Sequence, residues 1–174
     1  MAVVREVRQN WKEDHMSVRD KIIAIAREEL GEDDNRDIPN IHELDRYFID
    51  VGKSPSGADK TTSWCGLFAC WVLKQALMER GKYVTWRYKI VDSTNRLVQL
   101  VDAEGGDEGK GIRPGDVGVI RHRIHHFVVE EAFPDSELLV TISGNYLGRA
   151  HDCIRRTRDY TRRGLWYYYR IVAD

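Results

Sequence analysis

The sequence predicts one α+β domain in which helices come first and pack, through a central cysteine-bearing helix, on an antiparallel β-sheet. Two observations in the pattern lead there. Helical spacing of apolar residues dominates the first half, and five short apolar runs separated by turn signals fill the second. The third observation is size: 174 residues, 42% of them hydrophobic, suffice for one core and are too few for two large domains. Residues 1–16 lack clean periodicity and read as an arm, leaving 17–174 as the single domain.

Ser17 is a capping-type residue, Val18, Ile22, Ile25, Ala26 and Leu30 recur at helical spacing, and Gly31 closes the run, so 17–31 is an amphipathic helix. The polar stretch 32–40 reads as a loop and 41–51 as a shorter second helix. Gly52, Pro55 and Gly57, with four Ser or Thr, make 52–62 a loop. Segment 63–78 then carries no charge before Lys74, and a helix apolar on all sides belongs in the middle of the domain. A β-like stretch at 83–91, a helix at 93–102 and a Gly-rich acidic loop at 104–111 follow. The expected strands are 117–121, 126–132, 138–143, 151–157 and 165–172, with turns at 114–116, 134–136 and 162–164.

Lys and Arg number 27 against 28 Asp and Glu, a net charge of −1, which excludes the overall basicity used to bind nucleic acid or acidic membranes. No apolar run is long enough for a membrane span, and Arg5, Glu6 and Arg8 stand where a signal peptide would need its apolar core. The expectation is a chain made in the cytoplasm without a signal peptide. Three cysteines, Cys65, Cys70 and Cys153, are too few for a disulfide scaffold and form no Cys-x-x-Cys, so a free thiol is expected and a cysteine zinc site is not.

Cys65 falls in the first turn of the apolar helix, with Ser63 as its expected N-cap. A helix N-terminus stabilises a thiolate through its partial positive charge, and its N–H groups can hold an oxyanion. Against this stands the commoner fate of a free cysteine as a small buried hydrophobe, the role assigned to Cys70, about 140° further round the helix. A thiol nucleophile needs a base. His125 and His126 open the apolar run 126–129, and alternation along a strand lets only one of them face a given site. His122 with these two could form an adventitious metal patch, but no metal is expected. The third element is 141–145, where period two puts Thr141, Ser143 and Asn145 on one face; Asn145 could fix the tautomer of the imidazole. Taken alone, Gly144-Asn145 is an ordinary turn signal.

Trp64-Cys65 opening an apolar helix, Arg113-Pro114-Gly115-Asp116 before an apolar strand, His126 at the next strand start and Ser143-Gly144-Asn145 occur together and in order. The combination resembles the cysteine, histidine-dependent amidohydrolase/peptidase (CHAP) family over 17–172. The resemblance implies a papain-like fold and cleavage of amide bonds in bacterial peptidoglycan, either between sugar lactyl and peptide or within the stem or cross-bridge. It makes Cys65 the nucleophile, His126 the base and Asn145 the orienting residue, with Pro114 to Asp116 structural. Ser143 stands where members often carry Glu, and His125 where many carry Gly. Candidates for substrate or oxyanion contacts are Trp64, Ser63, Asp59, Thr62, His125 and Ser143, beside the Cys65 backbone N–H. No cofactor is implied.

The implied partner is a peptidoglycan stem peptide or similar peptide, reached by specialised secretion or after lysis, with a cognate inhibitor (immunity) protein in the producing cell if the protein is a secreted bacteriolytic effector. Two rival readings keep the fold. One is a non-catalytic binding module for wall or protein, with Trp166 to Tyr169 stacking on sugars, although these aromatics read more simply as a strand with alternating faces. The other is a papain-like transglutaminase or acyltransferase, which passes the acyl group to an amine.

Overall fold

The structure, a computed structural model, describes residues 16–38, 41–51, 64–78, 83–85, 89–91, 97–98, 111–120, 125–145 and 153–169. Helix α1, Val18–Leu30, begins where the Ser17 hydroxyl accepts a hydrogen bond from the Asp20 N–H. It ends at Gly31, whose φ of +82° lets its N–H return to the Arg27 carbonyl. Val18, Ile22, Ala26 and Leu30 form its buried stripe.

The polar segment after α1, expected to be loop throughout, contains a strand, β1, Asn35–Asp37. A three-residue edge strand is held by its backbone and faces solvent, so its side chains carry no apolar signal. A 3₁₀ turn, Ile41–Leu44, leads into the short helix α2, Asp45–Asp50. The central helix α3 spans Cys65–Met78 and is buried without interruption from Cys65 to Leu73.

Next come β2 (Tyr83–Thr85), β3 (Lys89–Val91) and β4 (Leu97–Val98), which form a small antiparallel sheet in that order. The helix expected at 93–102 is corrected here: Leu97 and Val98 pair with Val91 and Ile90. Leu97, Val98, Leu100 and Val101 fit a helical stripe, and the neighbouring hairpin decides for strand. Of the expected loop at 104–111, all but Gly111 lies outside the described residues.

Five longer strands build the main sheet: β5 (Val117–Ile120), β6 (His125–Ala132), β7 (Leu138–Ser143), β8 (Cys153–Thr161) and β9 (Leu165–Tyr169). With β1 the order is β1-β8-β7-β6-β5-β9, antiparallel at every pairing. β6 starts one residue earlier than expected and β8 runs four residues further; a 3₁₀ turn, Arg162–Gly164, links β8 to β9. The chain is thus an α+β fold with its helices on one face of an antiparallel sheet. Among the described residues no helix is long and apolar enough to cross a membrane.

The two faces of the sheet bury different sets. Val117, Val128, Ile142 and Ile154 join α1, α2 and α3 in one core. Ile120, Phe127, Val129, Leu139, Leu165 and Tyr168 form a second core on the opposite face. Tyr168 belongs to the second core and Tyr169 packs on the first, so this part of the aromatic run at 166–169 alternates across the sheet. Gly118 leaves the space that Phe127 fills, since a Cβ there would lie 2.5 Å from the ring.

Two ionic anchors fix α1 to the sheet. In the turn Arg113 to Asp116, Gly115 sits at φ +84° and the Asp116 N–H returns to the Arg113 carbonyl at 3.1 Å. The fully buried Asp116 carboxylate accepts the Arg113 N–H at 2.8 Å and the Arg19 guanidinium at 2.7 Å, and Arg19 also donates to the Pro114 carbonyl. The second anchor is Glu130, buried on the helix face, which takes Arg27 at 2.6 Å and Arg156 at 2.6 and 2.9 Å. Burial alone would raise its pKa, but the hydrogen bonds from Arg156 and Arg27 outweigh that and hold the carboxyl below its ordinary value.

Candidate active site

The Phe68 N–H bonds the Trp64 carbonyl at 2.9 Å, so Trp64 rather than Ser63 takes the cap position and Cys65 is the first helical residue. Ser63, Thr62 and Asp59 lie outside the described residues, as does His122. The first N–H groups of α3 have no acceptor within the helix, and Cys65 lies in that first turn. Cys65 is only 2% exposed. Cys70 is buried in the helix-side core, and all three cysteines are free thiols.

His126 is the second residue of β6 and pairs with Val119 of β5. It shares a face with Val128, which points at the helices, and its Nδ1 lies 3.8 Å from Cys65 Sγ. Burial, with a smaller contribution from the neighbouring His125, pushes the His126 pKa down to about 4. At neutral pH the ring is therefore uncharged and can accept a proton.

His125 projects to the other face. Its ring lies 6.5 Å from Phe127 and 5.9 Å from Tyr160, centroid to centroid, in the second core. The structure does not bring His125 to Cys65, so of the two candidate bases it is His126 that meets the thiol. Nor does the structure bring Ser143 there, because Ile142 faces the helices and its neighbours Thr141 and Ser143 face away. Thr141 bonds Thr157 there at 3.0 Å, and the Ser143 hydroxyl is buried with no hydrogen-bond partner among the described residues.

Asn145 does not follow the alternation expected to group it with Thr141 and Ser143. Its φ of +54° takes it out of strand conformation at the end of β7, and it is 3% exposed. The register Val128↔Ile142 runs the end of β7 beside the start of β6, placing Asn145 at the same end of the sheet as His126.

Trp64 is fully buried, so it supplies scaffold rather than exposed surface. Its six-membered ring occupies the space above Gly144, where a Cβ would lie 2.1 Å from the ring. On its own Gly144 read as a turn residue; the signal that it is a seat was the bulky Trp64 beside the cysteine, which a sequence cannot pair with it. Tyr47 was not singled out from the sequence at all. Its ring lies parallel to Trp64 at 5.9 Å, and its hydroxyl donates to Glu29 Oε2 at 2.5 Å and accepts from Arg46 at 2.9 Å. Burial, then the Glu29 carboxylate, raises the Tyr47 pKa well above its ordinary value, keeping the hydroxyl protonated.

Among the described residues no three His, Cys, Asp or Glu side chains gather into a metal-binding group. Compared with known proteins, the chain matches no family model, no curated sequence and no solved structure.

Proposed function

We propose that this chain is a cysteine hydrolase of papain-like fold that cleaves amide bonds of bacterial peptidoglycan, as an amidase or an endopeptidase. The observation that carries the reading is the approach of Cys65 Sγ to His126 Nδ1, 3.8 Å apart across the junction of a helix N-terminus and a strand. A nucleophile and a base within reach of each other, beside helix N–H groups that can take an oxyanion, make the minimal equipment for acyl transfer.

In this reading the neutral His126 accepts the Cys65 proton as sulfur attacks the amide carbonyl, and the first N–H groups of α3 face the resulting oxyanion. Collapse expels the amine, protonated by the imidazolium, and leaves a thioester on Cys65. Water then gives a proton to His126 and attacks the thioester, releasing the acid and restoring the thiol. Asn145, at the same end of the sheet as His126, is the third member in this reading. The depressed pKa of His126 keeps its ring neutral at rest, so it takes up the proton as attack proceeds.

Incubation of the protein, and separately of Cys65→Ala, with purified peptidoglycan sacculi tests the proposal through the released fragments identified by mass spectrometry. Fragments from the unsubstituted protein alone are expected, and their new termini name the bond. Equal release from both proteins, or none from either, would overturn it.

A further inference from the structure

Cys65 and Asn145 come from distant parts of the chain, one opening α3 and the other following β7. A single aromatic ring spans the gap between their neighbours. Trp64 precedes Cys65, Gly144 precedes Asn145, and the Trp64 ring rests on Gly144 so closely that a Cβ would have three ring atoms within 2.8 Å. Asn145, next to that seat, holds a left-handed backbone, which asparagine adopts more readily than other residues with side chains.

The Trp64 ring is also stacked on Tyr47, the two planes 3° apart, while Phe68 makes T-shaped contacts with both rings. Tyr47 meets Trp71 edge-on as well. A phenylalanine could fill that space. The hydroxyl instead reaches Glu29 of α1, a carboxylate 8% exposed that also takes Arg46 and Arg36. Burying a carboxylate and a phenol in an aromatic core is costly unless both are paired, and such a pair fixes direction where apolar packing would allow rotation or slip.

We propose that Tyr47, pinned by Glu29, is a positioning residue that acts through Trp64 to hold Cys65 at its distance from His126. The inference rests on the functional reading above in one respect, that the Cys65–His126 pair governs the reactivity of the thiol. At 3.8 Å the pair sits near the outer limit of a hydrogen bond to sulfur, so a shift of a few tenths of an ångström in the Trp64 plate decides whether proton transfer is in reach.

The test measures the rate of Cys65 alkylation by iodoacetamide at pH 7, located by peptide mass spectrometry, in the full chain and in Tyr47→Phe, Glu29→Gln and His126→Ala. Thermal melts confirm that each is folded. Expected are alkylation at least tenfold slower in both His126→Ala and Tyr47→Phe, and a rate within about threefold of the parent in Glu29→Gln, which retains an acceptor for the hydroxyl. A folded Tyr47→Phe that alkylates like the parent, while His126→Ala is slow, overturns the positioning role and leaves the pair intact. An unchanged rate in His126→Ala overturns the pair itself, and the positioning role with it. If Tyr47→Phe does not fold, Glu29→Ala, which removes the acceptor of the hydroxyl, decides: a tenfold loss in the folded variant supports the role, and a rate near the parent overturns it.

Discussion

Strand β6 carries two adjacent histidines into two different environments. His126 meets a thiol at a helix N-terminus, and His125 meets the rings of Phe127 and Tyr160. Both side chains are imidazoles on the same strand, and only the face separates them. Which histidine meets the thiol is therefore a property of register: a slip of one residue would exchange the pair and bury His126 in the second core. The register is held on both sides of β6, by Val119↔His126 on β5 and Val128↔Ile142 on β7, and the Glu130 anchor ties the same strand to α1.

Replacing each histidine is the sharpest way to break that comparison. If the proposed function holds, His126→Ala is expected to lower hydrolysis by about 10²–10⁴-fold with little loss of stability, the effect of removing a general base. His125→Ala is expected to leave the rate within a few-fold and to lower stability by about 1–2 kcal/mol through lost packing in the second core. Fragment release and urea unfolding of both variants check this, and the opposite pattern would exchange their roles.

Removing the anchor tests whether register depends on it. Glu130→Ala leaves Arg27 and Arg156 facing an emptied site on the helix side and is expected to cost about 3 kcal/mol, read as a lower denaturation midpoint. Both arginines are more exposed than the carboxylate, so they can rehydrate, and a smaller loss is the expected direction of any departure.

Two glycine substitutions sharpen the contrast between the faces. Gly144→Ala presses a methyl into Trp64 on the site side, and Gly118→Ala presses one into Phe127 on the other. Each is expected to cost about 1–3 kcal/mol by overpacking. Only Gly144→Ala is expected to slow Cys65 alkylation as well; equal effects of the two on the thiol would show that general loosening, and no local seat, controls it.

The smallest effect expected at neutral pH concerns titration. His126 has its folded pKa near 4 against an ordinary 6.5, so the unfolded chain binds the proton more readily between those values. Its contribution to stability is then complete above pH 6.5 and is lost as pH falls toward 4. Glu130 is depressed from 4.5, and its contribution is lost as pH falls below that value. His126→Phe should flatten the first slope and keep the second, as read from unfolding midpoints between pH 7 and pH 3.

The sequence by itself determined the parts that local chemistry specifies. The helix from Ser17 to Gly31, the uncharged helix after Trp64, the Pro114 to Asp116 turn and the alternation of β5 to β7 were legible, because period, caps and turn residues act over a few positions. So was the candidate nucleophile with its two candidate bases. β1 was hidden, because an edge strand of Asn, Arg and Asp carries no apolar alternation, and β4 was misread, because its apolar spacing fits both periods. Which histidine meets the cysteine, why Gly144 must lack a side chain and how Tyr47 and Glu29 come to lie behind Trp64 were decided only in the tertiary structure. Each depends on segments distant in the chain being packed against one another, and a close approach of that kind leaves no periodic trace in the sequence that makes it.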